Sequence, residues 1–425
     1  MKKRKYTIWF IIAGAVLIAA LLFMLPASLD KAGRDNGQGA VTEENTAENE
    51  QPEADAGPDA VIFCASDYQE EPGWDAPSAN LAAILDSAVS GIEAKDTEAA
   101  ASDSSTEGDT EAIRINGFIM CGDYTNDANL YDYQLSPDES ISEIRGIVSE
   151  KAPDVSDDDM IFIQGNHDAL TDEISESGLH EFDDYLVYVL NTQNDFPWKQ
   201  GRTSGTLNKV RDSSEALRAC LTELADRGET RPVIIAGHVP LHFTARTSSR
   251  HGNGDNMYSS LIFNAVNEAG RDLDIIYLFG HNHSKGWDCY MGGSSVMRKA
   301  GDTVLIPELD ETSVTTDKYT EETLTFTYMN AGYTGYYMNC GPKELNNGTW
   351  REYEAADMTL TGTVIEIYGD RIEISRWDSE GMHQLSSQGE ADPYRGGIDS
   401  GLIDESSYGT EVKSPQVIVR HAVGN

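Results

Sequence analysis

Five short apolar runs constrain this chain more than anything else in it. Ala60–Ala65, Gly117–Cys121, Met160–Ile163, Val233–Ala236 and Ile275–Phe279 are apolar almost without interruption, as strands covered on both faces must be. They continue as Ser66-Asp67-Tyr68-Gln69, Gly122-Asp123, Gly165-Asn166-His167-Asp168, Gly237-His238 and Gly280-His281-Asn282-His283. Each continuation brings a side chain able to hold a metal, and a glycine in four of the five permits a sharp turn and close backbone approach. Helical patterns lie between the runs. Leu81, Ile84, Leu85, Val89 and Ile92 recur at helical spacing. Ser136-Pro137-Asp138-Glu139 reads as a cap, a first-turn proline and a capping-box glutamate ahead of Ile141, Ile144 and Val148. Leu217, Leu221 and Leu224 form a further stripe closed by Gly228. Alternating strands and helices predict an α/β fold.

In α/β folds ligands gather at the carboxyl ends of strands, so the five strand ends would converge on one crevice if the strands share a sheet. Pairs separated by one residue, Asp67/Gln69 and His281/His283, would place two side chains on one side of an extended backbone. Carboxylate, amide and imidazole donors together suit Zn, Fe or Mn better than Ca. Two such ions about 3.5–4 Å apart, sharing a carboxylate, can clamp an in-line phosphoryl displacement. A single Gly-Asp or Gly-His after a strand is an ordinary turn. Five such ends in one chain point to a common site.

These residues resemble the calcineurin-like metallophosphoesterase family, over about residues 60–377. The resemblance implies a two-sheet β-sandwich flanked by helices, a four-layer αββα arrangement, with a dinuclear metal centre at the strand ends. By that resemblance Asp67, position 69 and His283 hold the first of two divalent ions, Mn, Fe or Zn. Asp123 bridges, and Asn166, His238 and His281 complete the second. A hydroxide held by both ions attacks phosphorus, and His167 steadies or protonates the leaving oxygen. The chain departs from the family twice. Gln69 stands where a histidine is usual, a neutral but harder and weaker ligand. Asn126, with Asp127 beside it, stands where an aspartate orients the catalytic histidine. Asn126, Asp127 and Arg246 are candidates for orienting the site or meeting substrate. The expected function is metal-dependent hydrolysis of phosphate mono- or diesters. The alternative, raised by Gln69 and Asn126, is a catalytically impaired surface binding protein on the same scaffold.

The net charge of −41, with 72 acidic residues, repels polyanions, so no nucleic-acid binding is expected. Two divalent ions against Asp67, Asp123 and a hydroxide would still leave the site positive by about one charge, so a phosphate ester can bind there. Lys2, Lys3, Arg4 and Lys5 precede the apolar run Ile8–Leu25, whose 18 residues span about 27 Å as a helix. That pattern predicts a signal anchor over 1–26, a partnership with the membrane, and a single-pass protein with its catalytic domain extracytoplasmic. Secretion after signal cleavage is the alternative. The remaining chain divides into a disordered acidic linker over 27–59, a metallophosphoesterase domain over 60–384 with a disordered insertion about 96–112, and an acidic low-complexity tail over 385–425. Cys64, Cys121 and Cys220 read as small buried hydrophobes, and Cys289 with Cys340 as a candidate disulfide.

Overall fold

The computed structural model describes residues 57–70, 76–102, 113–125, 136–196, 204–241, 258–281, 296–308, 319–335, 343–344, 350–351, 360–383, 386–387 and 415–421. They all lie in one unit, Asp55–Asn425. In chain order the strands are β1 (Ala60–Ala65), β2 (Gly117–Met120), β3 (Met160–Phe162), β4 (Gly178–Glu181), β5 (Leu186–Leu190), β6 (Val233–Gly237), β7 (Ile275–Phe279), β8 (Val296–Arg298) and β9 (Thr303–Pro307). They continue as β10 (Tyr319–Thr323), β11 (Thr327–Asn330), β12 (Lys343–Glu344), β13 (Trp350–Arg351), β14 (Gly362–Ile367), β15 (Arg371–Asp378), β16 (Gly381–His383), β17 (Ser386–Ser387) and β18 (Gln416–Val419). The helices are α1 (Ala76–Ser102), α2 (Pro137–Lys151), α3 (Ser204–Asp226) and α4 (Ser259–Ala269).

Two large sheets result. One runs β16-β15-β14-β1-β2-β3, with β18 also on β15, and the other runs β17-β8-β11-β7-β6-β5-β4. The alternation of side chains along each strand sorts the core into three layers. Val61, Phe63 and Ala65 of β1 pack with Leu81, Ile84 and Leu85 of α1 and Ile141, Ile144 and Val148 of α2. The alternate residues Ala60, Ile62 and Cys64 meet Val187, Ile234, Ile276 and Leu278 across the space between the sheets. On the far side Val233 and Ile235 of β6 pack against Leu217, Leu221 and Leu224 of α3 and Ile262 and Val266 of α4. Helices, sheet, sheet and helices therefore stack in that order, as the resemblance implies. The five ligand-bearing strands do not share one sheet, the condition set for their convergence, but divide between the two sheets that the resemblance implies, β1, β2 and β3 in the first and β6 and β7 in the second. Pairing of β1 with β2, β2 with β3 and β6 with β7 is parallel, so within each sheet the loops that follow these strands leave from one edge.

Local signals account for most boundaries. Ser136 caps α2 by accepting the Asp138 N–H (3.3 Å), with Pro137 opening the helix. The capping box expected there with Glu139 forms instead at Ser156–Asp159, ahead of β3. The expected turn at 368–370 joins β14 to β15, whose residues pair antiparallel. The insertion expected at about 96–112 begins too early, because α1 continues to Ser102. Ala99, Ala100 and Ala101 explain this, having the strongest helix preference of any residue. Residues 103–112, and the anchor and linker up to residue 56, lie outside the described residues. Among the described residues no helix is long and apolar enough to cross a membrane.

The tail expected over 385–425 is also corrected. Gln416-Val417-Ile418-Val419, β-branched at three of four positions, adds as β18 to β15, with Ile372 opposite Ile418. Arg420 then fastens the two sheets. Its Nη1 donates to Tyr368 O (2.7 Å) in the first sheet's β14–β15 turn, its Nη2 donates to Thr230 O, and its Nε lies 3.3 Å from Asp274 Oδ2, just before β7. His421 adds its backbone N–H (2.9 Å) and ring Nδ1 (2.7 Å) to Asp274 Oδ1. Arg420→Ala strips these acceptors of their donor and is expected to cost about 1–3 kcal/mol, a fall of several degrees in Tm. A thermal melt checks this, and bound metal should be unchanged because the staple lies where β6 and β7 begin, away from the site.

Candidate metal centre

The chain leaving β1 keeps pairing with the chain leaving β2. Asp67, Gln69 and Glu70 donate their N–H groups to the carbonyls of Gly122, Asp123 and Tyr124, each at 2.9 Å. Asp67 and Gln69 are not extended, however, which corrects the reading of that pair. Asp67 (φ 54°), Gln69 (φ 50°), Asp123 (φ 57°) and His281 (φ 64°) are left-handed, and among the described residues no other non-glycine residue is. Each such residue costs of order 1 kcal/mol, and strain of this kind is held where surrounding structure over-determines it. All four were singled out as ligands from sequence. The glycines divide the work differently than expected. Gly122 (φ 86°) makes the turn, whereas a Cβ on Gly165 would run into Asp123 Oδ1 and one on Gly280 into Ser66 Oγ.

At the centre lies the fully buried Asp123. Its Oδ1 accepts the His167 N–H (2.9 Å), and its Oδ2 has no hydrogen-bond donor. His238, on the loop after β6, stands against that oxygen with Nε2 at 3.1 Å, and Asn166 Oδ1 lies 3.0 Å from the same nitrogen. The other ring nitrogen, Nδ1, sits 2.7 Å from Cys121 O. A carbonyl can only accept, so Nδ1 carries a hydrogen and Nε2 is the nitrogen left to face a proton or a metal ion. Asp123 Oδ2 and His238 Nε2, both buried, thus meet the Oδ1 of the half-buried Asn166 and require a cation, a proton or a metal ion, between them. Burial, the largest influence, pushes the His238 pKa down, but Asp123 more than offsets it and the ring rises to about 9, so without an ion the ring holds a proton that a bound metal would replace. Burial likewise pushes Asp123 up, and His238 followed by His167 holds it below its usual range. The His281 ring meets His238 edge-on at 5.3 Å. Asp123, His238 and His281 offer ligand atoms all within 4.8 Å of one another, and this carboxylate–imidazole set fits Mn, Fe or Zn.

The structure therefore brings Asp123, Asn166, His167, His238 and His281 together. It places Asp67 and Gln69, both buried, on the β1 side, where Asp67 Oδ2 accepts the His281 N–H (2.9 Å). His283, Asn126, Asp127 and Arg246 lie outside the described residues. Cys64 and Cys121 are buried free thiols as expected, and Cys289 and Cys340 lie outside the described residues. Tyr124 is a packing residue, its hydroxyl donating to Ile163 O (2.7 Å) and Met120 O (3.1 Å). Sequence reasoning missed two supports. Asp168 accepts backbone N–H groups from both the β2 and β3 loops. Burial, then the Asp123 charge, raises its carboxyl against the pull of the Gly165 and Tyr124 amides. Asn330, at the end of β11, donates to Gly280 O (3.3 Å) beside His281, and its own carbonyl accepts from the fully buried Arg376 (2.6 Å). Adjacency to Asn166-His167 was a signal for Asp168, while Asn330 carried none.

The family model described as calcineurin-like phosphoesterase matches residues 100–285. Over that span, which is under half of the chain, the chain is similar to that family. The matched span takes in Asp123, Asn166, His167, His238, His281 and His283 and begins after Asp67 and Gln69. Among solved structures, a dimetal phosphatase from Danio rerio is similar at 10% identity and a TM-score of 0.43, covering 77% of this chain and 99% of that one. A single mutant of Vps29 from Entamoeba histolytica (13% identity, TM-score 0.25) covers 74% of this chain and 91% of its own. Vacuolar protein sorting 29 from Cryptosporidium parvum (9% identity, TM-score 0.25) covers 76% and 92%. No curated protein matches.

Proposed function

We propose that this chain hydrolyses phosphate mono- or diesters with a dinuclear divalent-metal centre, tethered by Ile8–Leu25 outside the cytoplasmic membrane. The observation that carries this reading is the meeting of Asp123 Oδ2, buried without a hydrogen-bond donor, with His238 Nε2 at 3.1 Å and with Asn166 Oδ1, 3.0 Å from that nitrogen. Asp123, Asn166, His238 and His281 would hold one ion. Asp67, Gln69 and His283 would hold the other, with Asp123 shared. When bound, such ions polarise phosphoryl oxygens and make water acidic enough to serve as nucleophile near neutral pH. The Cys121 carbonyl fixes the His238 tautomer, which keeps Nε2 available as a ligand. The His167 side chain is 26% exposed, against 0% for His238, and its Nε2 lies 3.9 Å from Asp123 Oδ2. It stands at the rim of the centre, placed to give a proton to the departing oxygen.

Gln69 favours a second reading, a binding protein with one weakened ion site. The two separate in one experiment. The full chain, purified in detergent, is analysed for bound metal and assayed on aryl phosphomonoesters and bis-aryl phosphodiesters with Mn or Zn. Hydrolysis removed by a chelator and restored by metal is the expected result. A protein that takes up metal below stoichiometry and stays inert with every ion points to the binding reading.

A further inference from the structure

Asp168 follows Asn166 and His167 directly, yet its side chain turns away from the place where a cation is required. It is buried, and its two oxygens collect backbone amides from two loops of the first sheet. Oδ2 accepts from Asp123 N and from Gly165 N, both at 2.8 Å. Oδ1 accepts from Tyr124 N at 2.8 Å and, at longer range, from Thr125 N at 3.4 Å. The arrangement is reciprocal, because Asp123 Oδ1 accepts the His167 N–H (2.9 Å) in return. Each loop thus lends its carboxylate to the backbone of the other.

We propose that Asp168 is a positioning residue which sets the metal centre by clasping the β2 loop to the β3 loop. The inference rests on the metal-centre reading above. The β2 loop departs from regular structure at Gly122 (φ 86°) and Asp123 (φ 57°). On the β1 side it is held by its carbonyls, which accept from Gln69 and Glu70. On the β3 side it is held by its amides, and Asp168 takes them. Buried amides without an acceptor cost about 1–3 kcal/mol each, so the left-handed turn at Asp123 depends on this carboxylate. The bond from Gly165 N to Asp168 Oδ2 also closes a turn around Asn166 and His167. One side chain therefore fixes Asp123, Asn166 and His167 together, and does so without touching the ion.

Two measurements on the full chain test this. In metal-free wild-type protein, the amides of Asp123, Tyr124 and Gly165 should exchange hydrogen as slowly as those of β1 and β2. In D168N, one acceptor oxygen becomes an NH2 group that confronts a backbone N–H. Its Mn binding isotherm should weaken about 10- to 100-fold, as for other groups that orient metal ligands, while its far-UV circular dichroism stays native. A purely structural buried carboxylate would lower Tm and leave the Mn affinity of the folded protein unchanged. Exchange of the three amides at exposed-loop rates overturns the clasp, and so does a folded D168N that binds Mn as the wild type does. Should D168N fail to fold, the exchange measurement decides alone. Wild-type protein that binds no Mn overturns the metal-centre reading and this inference with it.

Discussion

An Asp123→Asn protein should lose hydrolysis by roughly 10³-fold, the effect of removing several kcal/mol of metal-derived stabilisation at about 1.4 kcal/mol per tenfold. Above pH 9, where the His238 ring is neutral, the same substitution should leave the metal-free fold as stable as before or more so. The opposing outcomes share one cause. The Asn carbonyl can take over from Asp123 Oδ1 as acceptor of the His167 N–H. Its NH2 group then replaces Oδ2, which lies 3.1 Å from His238 Nε2 and has no donor of its own. An N–H facing a lone pair is a hydrogen bond, so the variant satisfies internally what the native protein leaves for a cation. Metal content by mass spectrometry should fall with activity, and Tm measured in chelator above pH 9 should not fall. Retention of native metal content, or a marked loss of Tm in chelator at that pH, would show that the three atoms meet for structural reasons.

How much of this was legible depended on whether a residue's task was local. The five runs announced themselves because strands buried on both faces are apolar throughout. That same property hid which sheet each belonged to, since a strand apolar on both faces carries no mark of what covers it. Val233–Gly237 and Ala60–Ala65 read alike and sit in different sheets. The ligand types at the strand ends were legible as chemistry. Their left-handed backbone was not, because aspartate, glutamine and histidine adopt φ near 50–64° only when tertiary contacts impose it. Asp168 serves an amide 45 residues away as well as that of Gly165, so only its place after Asn166-His167 marked it, and Asn330, serving a carbonyl 50 residues away, left nothing to read. At β18 the acidic, polar stretch before it masked four residues whose β-branched pattern was sufficient for a strand.

His167→Ala is expected to act on chemistry and spare binding. The hydrogen bond it gives Asp123 is through the backbone N–H, which alanine keeps while losing the ring's charge, and its ring is outside the group of Asp123, His238 and His281 atoms within 4.8 Å of one another. Metal content and KM should therefore stay near native, while kcat falls about 10²- to 10⁴-fold, the usual worth of a positioned general acid. The leaving group gives the sharper reading. An aryl oxygen of low pKa departs without help, so a nitrophenyl ester should lose little. An alkyl ester, whose oxygen must be protonated as it leaves, should lose the full factor. If both esters slow equally, His167 is stabilising charge on the phosphoryl group in place of delivering a proton. If metal is lost as well, the ring belongs among the ligands, and the division of labour drawn from its 3.9 Å separation from Asp123 Oδ2 is wrong.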